Sequence, residues 1–266
     1  MTVFMLDQLS LSAQETLLPF VLTDCLLDEL PDEQAYLHFW QLNHTFILGM
    51  KDTKVPDLAA GVQTIKAQHL TPIIRNSGGL GVIADEGVLN LSYIFKKTEA
   101  IQTIDDAYTI CLSLIQQAFP ELTIEAYEIV NSYCPGTFDL SVNGKKIAGM
   151  AQRRIKENIA VMVYLSVNGD QQLRGQIAKS FYDAAQVLPD SGFPEIDPAC
   201  MTTVEAALGT EIDVRDVKKR LQVAFHAVEN PQMQQELLQT VKTTPLFQKR
   251  AKNMLDRNEV LKEAAD

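Results

Sequence analysis

Cys134 stands in the run Ser132-Tyr133-Cys134-Pro135-Gly136, and Lys146 follows it twelve residues later. The thiolate, not the thiol, is the nucleophile, and a neighbouring ammonium favours it. Such a thiolate could hold an acyl group as a thioester. The spacing raises a geometric objection. Asn143-Gly144 predicts a type I′ turn between strands at 138–142 and 145–151. That hairpin pairs Lys146 with Ser141, seven residues from Cys134. Straight strands would hold the two apart by roughly 20 Å. Pro135 and Gly136 must therefore reverse the chain if thiol and amine are to meet. Without more, a structural cysteine in a turn is the simpler reading.

Two other constellations compete. Arg75-Asn76-Ser77-Gly78-Gly79-Leu80-Gly81 would expose backbone N–H groups suited to carboxylate or phosphate oxygens. It lacks the Gly-Lys-Ser/Thr of a P-loop, and a strand rather than a helix follows it, so it also reads as a plain turn. A Cys134/His226 dyad is a third option, but His226 sits between Phe225 and Ala227 on a predicted helix, where a structural role fits better. The cysteines Cys25, Cys111, Cys134 and Cys200 form no Cys-x-x-Cys pair, and the four histidines lack metal-ligand spacing. Neither a disulfide framework nor a metal site is expected.

Several elements must position these residues. Leu17, Leu18, Val21, Cys25 and Leu26 predict a helix over 13–30. Strands are expected at 38–40, 45–49 and 71–75, and again at 88–95, with a helix starting near Pro56. Thr103 and Asp106 cap a helix through Phe119 that makes Cys111 a core residue. Strands are predicted at 122–130 and 159–167. Beyond about residue 171 the pattern turns helical, over 171–187, 202–208 (capped by Thr202 and Glu205), 213–229 and 232–263. The division expected is an N-terminal helical segment 1–29, a catalytic core 30–195 and a C-terminal helical segment 196–266.

The 46% hydrophobic content describes a soluble chain, and no apolar run approaches a membrane span. Residues 1–11 carry no basic residue ahead of an apolar core and do not read as a signal peptide, so the cytoplasm is expected. A net charge of −11 speaks against nucleic acid or an anionic membrane as partner. Against it stands a basic run, Lys145, Lys146, Arg153, Arg154 and Lys156. It suits either an acidic macromolecular partner or a charge-protected strand edge.

Taken together, two of these segments resemble the lipoate–protein ligase and octanoyltransferase superfamily, which shares its catalytic fold with biotin–protein ligases. The resemblance is strongest over 40–167. Residues 75–90 look like the family's Arg-x-Ser-Gly-Gly-Gly loop and following strand. Asp139-Leu140-Ser141-Val142-Asn143-Gly144-Lys145-Lys146-Ile147-Ala148-Gly149 looks like its Asp-Leu-x-Val-x-Gly-x-Lys-Ile-x-Gly element. Leu80 replaces the third glycine, and Ala84 replaces a histidine common in the ATP-using ligases. The Ser-Tyr-Cys-Pro-Gly form most resembles the amidotransferase branch, the octanoyl-[glycine cleavage H protein]:protein N-octanoyltransferases of Gram-positive bacteria.

The resemblance implies an α/β (α+β) fold: a mixed, largely antiparallel central sheet flanked by helices, plus a helical C-terminal part. It implies Cys134 as nucleophile and Lys146 facing the acyl carbonyl and lowering the thiol's pKa. Arg75, Ser77, Gly78 and Gly79 would form the pocket mouth, with Asp139 and Gly149 also binding substrate. Val88, Leu89 and Leu91 are candidate walls of an acyl tunnel. The donor would be the H protein and the acceptors lipoyl domains of 2-oxoacid dehydrogenase E2 subunits, with no ATP or metal. An acyl-carrier-protein-dependent transferase, an ATP-dependent ligase and a non-enzymatic lipoyl-domain binder are the alternatives.

Overall fold

The strand Val88–Lys96 shows how the chain is layered. Leu89, Leu91, Tyr93 and Phe95 belong to one hydrophobic core, while Ile94 belongs to another on the opposite face. A computed structural model describes residues 1–264; Ala265 and Asp266, the end of the predicted segment 196–266, lie outside the described residues. In chain order the elements are β1 (Thr2–Gln8), α1 (Leu18–Asp28), β2 (Gln34–Trp40), β3 (Thr45–Leu48), α2 (Leu58–Ala67), β4 (Thr71–Ile74), β5 (Val82–Ala84) and β6 (Val88–Lys96). There follow α3 (Ile104–Ala118), β7 (Glu125–Ala126), β8 (Leu140–Val142), β9 (Lys145–Ile155), β10 (Asn158–Ser166), α4 (Gln171–Ala184), α5 (Val204–Leu208), α6 (Val214–Ala224), β11 (Ala227–Glu229), α7 (Pro231–Lys242) and α8 (Pro245–Glu263).

An eight-stranded sheet runs in the order β11-β1-β2-β6-β10-β9-β8-β7, and a three-stranded sheet in the order β4-β3-β5. Among the described residues, only β1 makes parallel strand pairs within the large sheet, with β2 and β11. Helices α3 and α6 pack together on one face of the large sheet. On the other face lie α1, the small sheet, and the α2–α4 pair, with α8 reaching α1 and β4. The mixed, largely antiparallel sheet flanked by helices is the architecture expected.

Five sequence readings need correction. The segment 1–29 is not wholly helical, because Thr2–Gln8 is a strand inside the large sheet. Its residues are buried on both faces, Met5 in one core and Leu6 in the other, so no alternation betrays it. The segment 122–130 holds only the two-residue strand β7. The cap of α5 is Thr203, whose hydroxyl accepts the Ala206 N–H, and not Thr202. The helix expected over 213–229 ends at Ala224, and the chain turns at His226 (φ 51°) into β11. The helical run 232–263 is two helices, split where Thr244 caps α8 and Pro245 starts it. The capping box of Thr103 and Asp106 and the full burial of Cys111 are as expected.

Candidate active site

The reversal that brings Cys134 to Lys146 is built around one carboxylate. Asp139 Oδ2 accepts the N–H groups of Ile129 and Gly136, each at 3.2 Å. The Asp139 N–H in turn donates to the Gly136 carbonyl at 3.1 Å, and the Tyr127 N–H to the Asp139 carbonyl. Those bonds curl residues 127–139 into a knot instead of a strand. Asp139 Oδ1 is then free to pair with Lys146 Nζ at 2.9 Å. Burial pushes the Asp139 carboxyl up, against the pull of Lys146 and its hydrogen bonds.

The hairpin delivers Lys146 as the sequence predicts, opposite Ser141, with Asn143 (φ 51°) and Gly144 (φ 76°) in the turn. A register shift between Leu140 and Ser141 leaves an extra residue in β9. That bulge lets Lys146 and Gly149, an odd number of residues apart, both line the same cavity. The ammonium is buried and donates to Ser132 Oγ (3.0 Å), the Tyr133 carbonyl (3.1 Å) and the Cys134 carbonyl (2.7 Å). It thus grips the backbone of the cysteine and not its sulfur. Cys134 has φ 52°, an uncommon conformation for a side-chain-bearing residue, and Lys146 pins the carbonyl that this conformation presents.

Two other donors reach the sulfur. The Leu80 N–H donates to Cys134 Sγ at 3.2 Å, and Arg75 Nη2 lies 3.6 Å from it. Arg75 Nε and Nη2 also donate to the Gly78 carbonyl, at 3.1 and 2.8 Å, which locks the glycine loop. Gly79 has φ 88°, and a Cβ there would lie 2.6 Å from Arg75 Nη2 and 3.0 Å from Cys134 Sγ. Only glycine lets the loop close on the thiol.

Cys134 opens onto a cavity of about 340 Å³. Arg75, Ser77, Gly78, Gly79 and Lys146 line it around Cys134, and one wall is a row of paired residues across four strands: Gly149, Tyr164, Asn90 and Trp40. At the usual strand spacing the row is about 14 Å long. Phe20, Ile47, Val82, Met150 and Met162 complete a mostly apolar lining. The candidate tunnel residues Val88, Leu89 and Leu91 are not among its walls. Leu89 and Leu91 point into the core on the opposite face, because only the alternate positions of β6 face the cavity.

All eight residues singled out from the sequence gather here; seven line or frame the cavity, and Asp139 braces it from behind. His226 does not join them: it is exposed beside β11, at the far edge of the sheet from β8 and β9. The basic run does not form one free patch either. Lys146 is buried on Asp139, Arg153 pairs with Asp24 and Lys156 with Asp28, while Arg154 bonds the carbonyls of Gln102 and Thr103. The Leu80 N–H was invisible to sequence reasoning because a backbone donor carries no residue signature. Ser132 lay within the motif quoted, but nothing distinguished its hydroxyl as an acceptor for Lys146.

Residues 15–226 match the lipoyl protein ligase A/B catalytic domain. The chain belongs to that family. It is 38% identical over 248 residues to an octanoyl-[GcvH]:protein N-octanoyltransferase of an Exiguobacterium species, spanning 92% of this chain and 87% of the relative. A Staphylococcus epidermidis protein of the same name is 45% identical over 184 residues, 67% of this chain and 65% of that one. Among solved structures, lipoate-protein ligase A bound with ATP superposes with a TM-score of 0.67 at 14% identity, covering 93% of this chain and 98% of that one. The bi-partite lipoate protein ligase of Thermoplasma acidophilum gives 0.61 at 14% identity, covering 92% and 93%. In this member of the lipoyl protein ligase A/B family, the glycine loop and the hairpin lysine enclose one cysteine from two sides. Among the described residues no cluster of histidine, cysteine or carboxylate could hold a metal, and no helix is long and apolar enough to cross a membrane.

Proposed function

We propose that the protein is an acyltransferase of lipoate assembly. It moves an octanoyl group from the lysine amide of the glycine cleavage H protein to a lysine of an E2 lipoyl domain, through a thioester on Cys134. The single observation that carries this is the placement of Cys134 Sγ against the Leu80 N–H, in the lining of a mostly apolar cavity. The names of relatives 36–45% identical to the chain support the donor.

The thiolate attacks the amide carbonyl, and the C–N bond breaks as the leaving lysine amine takes up a proton. The acceptor lysine, as free amine, then attacks the thioester, returns the electron pair to sulfur and gives up a proton as the new amide forms, matching the one taken up in the first step. Leu80 N–H and Arg75 are the donors that favour sulfur as thiolate before attack and as leaving group after it. Lys146 acts one step back, by fixing the backbone that aims the thiol. The acyl chain would lie along the Gly149–Trp40 row, gaining roughly 0.8 kcal/mol for each methylene buried. An acyl group that arrives as an amide and leaves as an amide calls for neither nucleotide nor metal.

Incubation with octanoylated H protein, without ATP, should add one octanoyl group to the intact mass of the protein. Addition of apo lipoyl domain should discharge it. The adduct is expected to vanish in Cys134→Ser. No adduct and no transfer without ATP, with transfer restored by ATP and free lipoate, would overturn the relay in favour of a ligase.

A further inference from the structure

The glycine loop that touches Cys134 is itself held from behind by a buried carboxylate in no contact with the cavity. Asp52 lies in the 3-10 turn Asp52–Lys54 that follows β3, and it is fully buried. Its Oδ2 accepts the Gly49 N–H at 2.8 Å, and its Oδ1 accepts the Tyr182 hydroxyl at 2.9 Å. The Tyr182 oxygen then accepts the Gly81 N–H at 3.1 Å. Gly49 closes the ring from the other side: a Cβ there would fall 2.0 Å from the Gly79 carbonyl oxygen and 2.9 Å from the Leu80 nitrogen. The Gly79–Leu80 peptide is therefore clamped between two points, Gly49 and Gly81, that answer to the same carboxylate. That peptide supplies the N–H directed at Cys134 Sγ.

We propose that Asp52, through Gly49 and Tyr182, is a positioning residue that sets the aim of the Leu80 N–H at the Cys134 sulfur. The proposal deepens the acyl-relay reading of the site and rests on it for its consequence in catalysis. The groups facing the carboxylate are the Tyr182 hydroxyl from α4, Arg75 just after β4 and the adjacent Lys51. Burial lifts the Asp52 carboxyl to about 6 against the pull of its two hydrogen bonds, and both oxygens accept. An amide in its place presents one acceptor and one donor. If its oxygen keeps the Gly49 N–H, its NH2 faces the Tyr182 oxygen, the hydroxyl proton loses its acceptor, and the clamp is weakened on that side.

The test reads the thiol directly. Alkylation of Cys134 by iodoacetamide, followed by the mass of its tryptic peptide, is measured against pH in the wild-type protein, in Asp52→Asn and in Tyr182→Phe. Weakening a hydrogen bond to the thiolate should raise the midpoint of the Cys134 profile by about one unit in both variants, a tenfold loss of reactivity below the midpoint. Single-turnover octanoylation from H protein should slow by a similar factor with little change in KM. Tyr182→Phe keeps the ring packed against Phe181 and Phe193, so it serves if Asp52→Asn does not fold. A midpoint unchanged in a folded variant, whatever its melting temperature, would reduce Asp52 to a structural residue and overturn the proposal. Absence of octanoylation in the wild-type protein would instead refute the acyl relay, and the alkylation profiles would still decide the role of Asp52.

Discussion

At the scale of single residues, Lys146 is the instructive case. Its type and spacing suggested an ammonium that tunes a thiol, and the resemblance placed it at the acyl carbonyl. Its actual partners are Asp139, Ser132 and two carbonyls of the cysteine turn. Replacing it therefore strands a buried carboxylate whose pKa burial already raises. Lys146→Ala is expected to cost about 3–5 kcal/mol in urea unfolding, as for a broken buried ion pair. A loss below about 1 kcal/mol would show that the lysine is not structural. Cys134 itself was legible from its motif, and so were Arg75 and the glycines. The donors at its sulfur were not, because a backbone N–H has no letter in the sequence and Arg75 reaches Cys134 across 59 positions.

At the scale of elements, the Asn143-Gly144 turn fixed β8 and β9 and even the pair Ser141 and Lys146, because two-residue turns admit one register. The bulge beside that pair left no trace in residue types. The strand at 122–130 failed for a clear reason: Asp139 collects the amides of Ile129 and Gly136, and a side-chain acceptor there outcompetes a strand partner. Helix α8 has a related device. Asn258 accepts the Ile74 N–H through Oδ1 (2.7 Å) and donates through Nδ2 to the Ile74 carbonyl (3.1 Å), imitating the strand that β4 lacks on that edge. Arg75 is the next residue. Asn258→Ala is expected to expose the Ile74 amide to rapid hydrogen exchange and to cost about 1–3 kcal/mol. Retained protection at Ile74 would mean that packing of α8 alone seals the edge.

At the scale of the molecule, an apolar content of 46% agrees with the two cores, but the polar seam inside one of them has no counterpart in the composition. His38 is completely buried; its Nε2 donates to Gln8 Oε1 at 2.7 Å, its Nδ1 lies 3.2 Å from Thr23 Oγ1, and Thr23 bonds Ser92 in turn. Burial lowers the His38 pKa to about 3, below the ordinary 6.5 of the unfolded chain. Between those values the unfolded state binds the extra proton, so stability falls as the pH drops through 6.5. His38 alone should remove about 2 kcal/mol between pH 7 and pH 5. Denaturant midpoints of His38→Gln at the two pH values should differ by less than those of the wild-type protein; an equal difference would place the acid sensitivity elsewhere. The connectivity of the large sheet has a consequence for synthesis. Strand β1 is finished by residue 8, yet its neighbour on one side, β11, spans Ala227–Glu229. At translation rates of about 5–20 residues per second, roughly 10 to 45 s separate the two on the ribosome. Through that interval the nascent chain carries an open strand edge of apolar residues, the kind of template that invites aggregation, and the last third of the protein is what closes it.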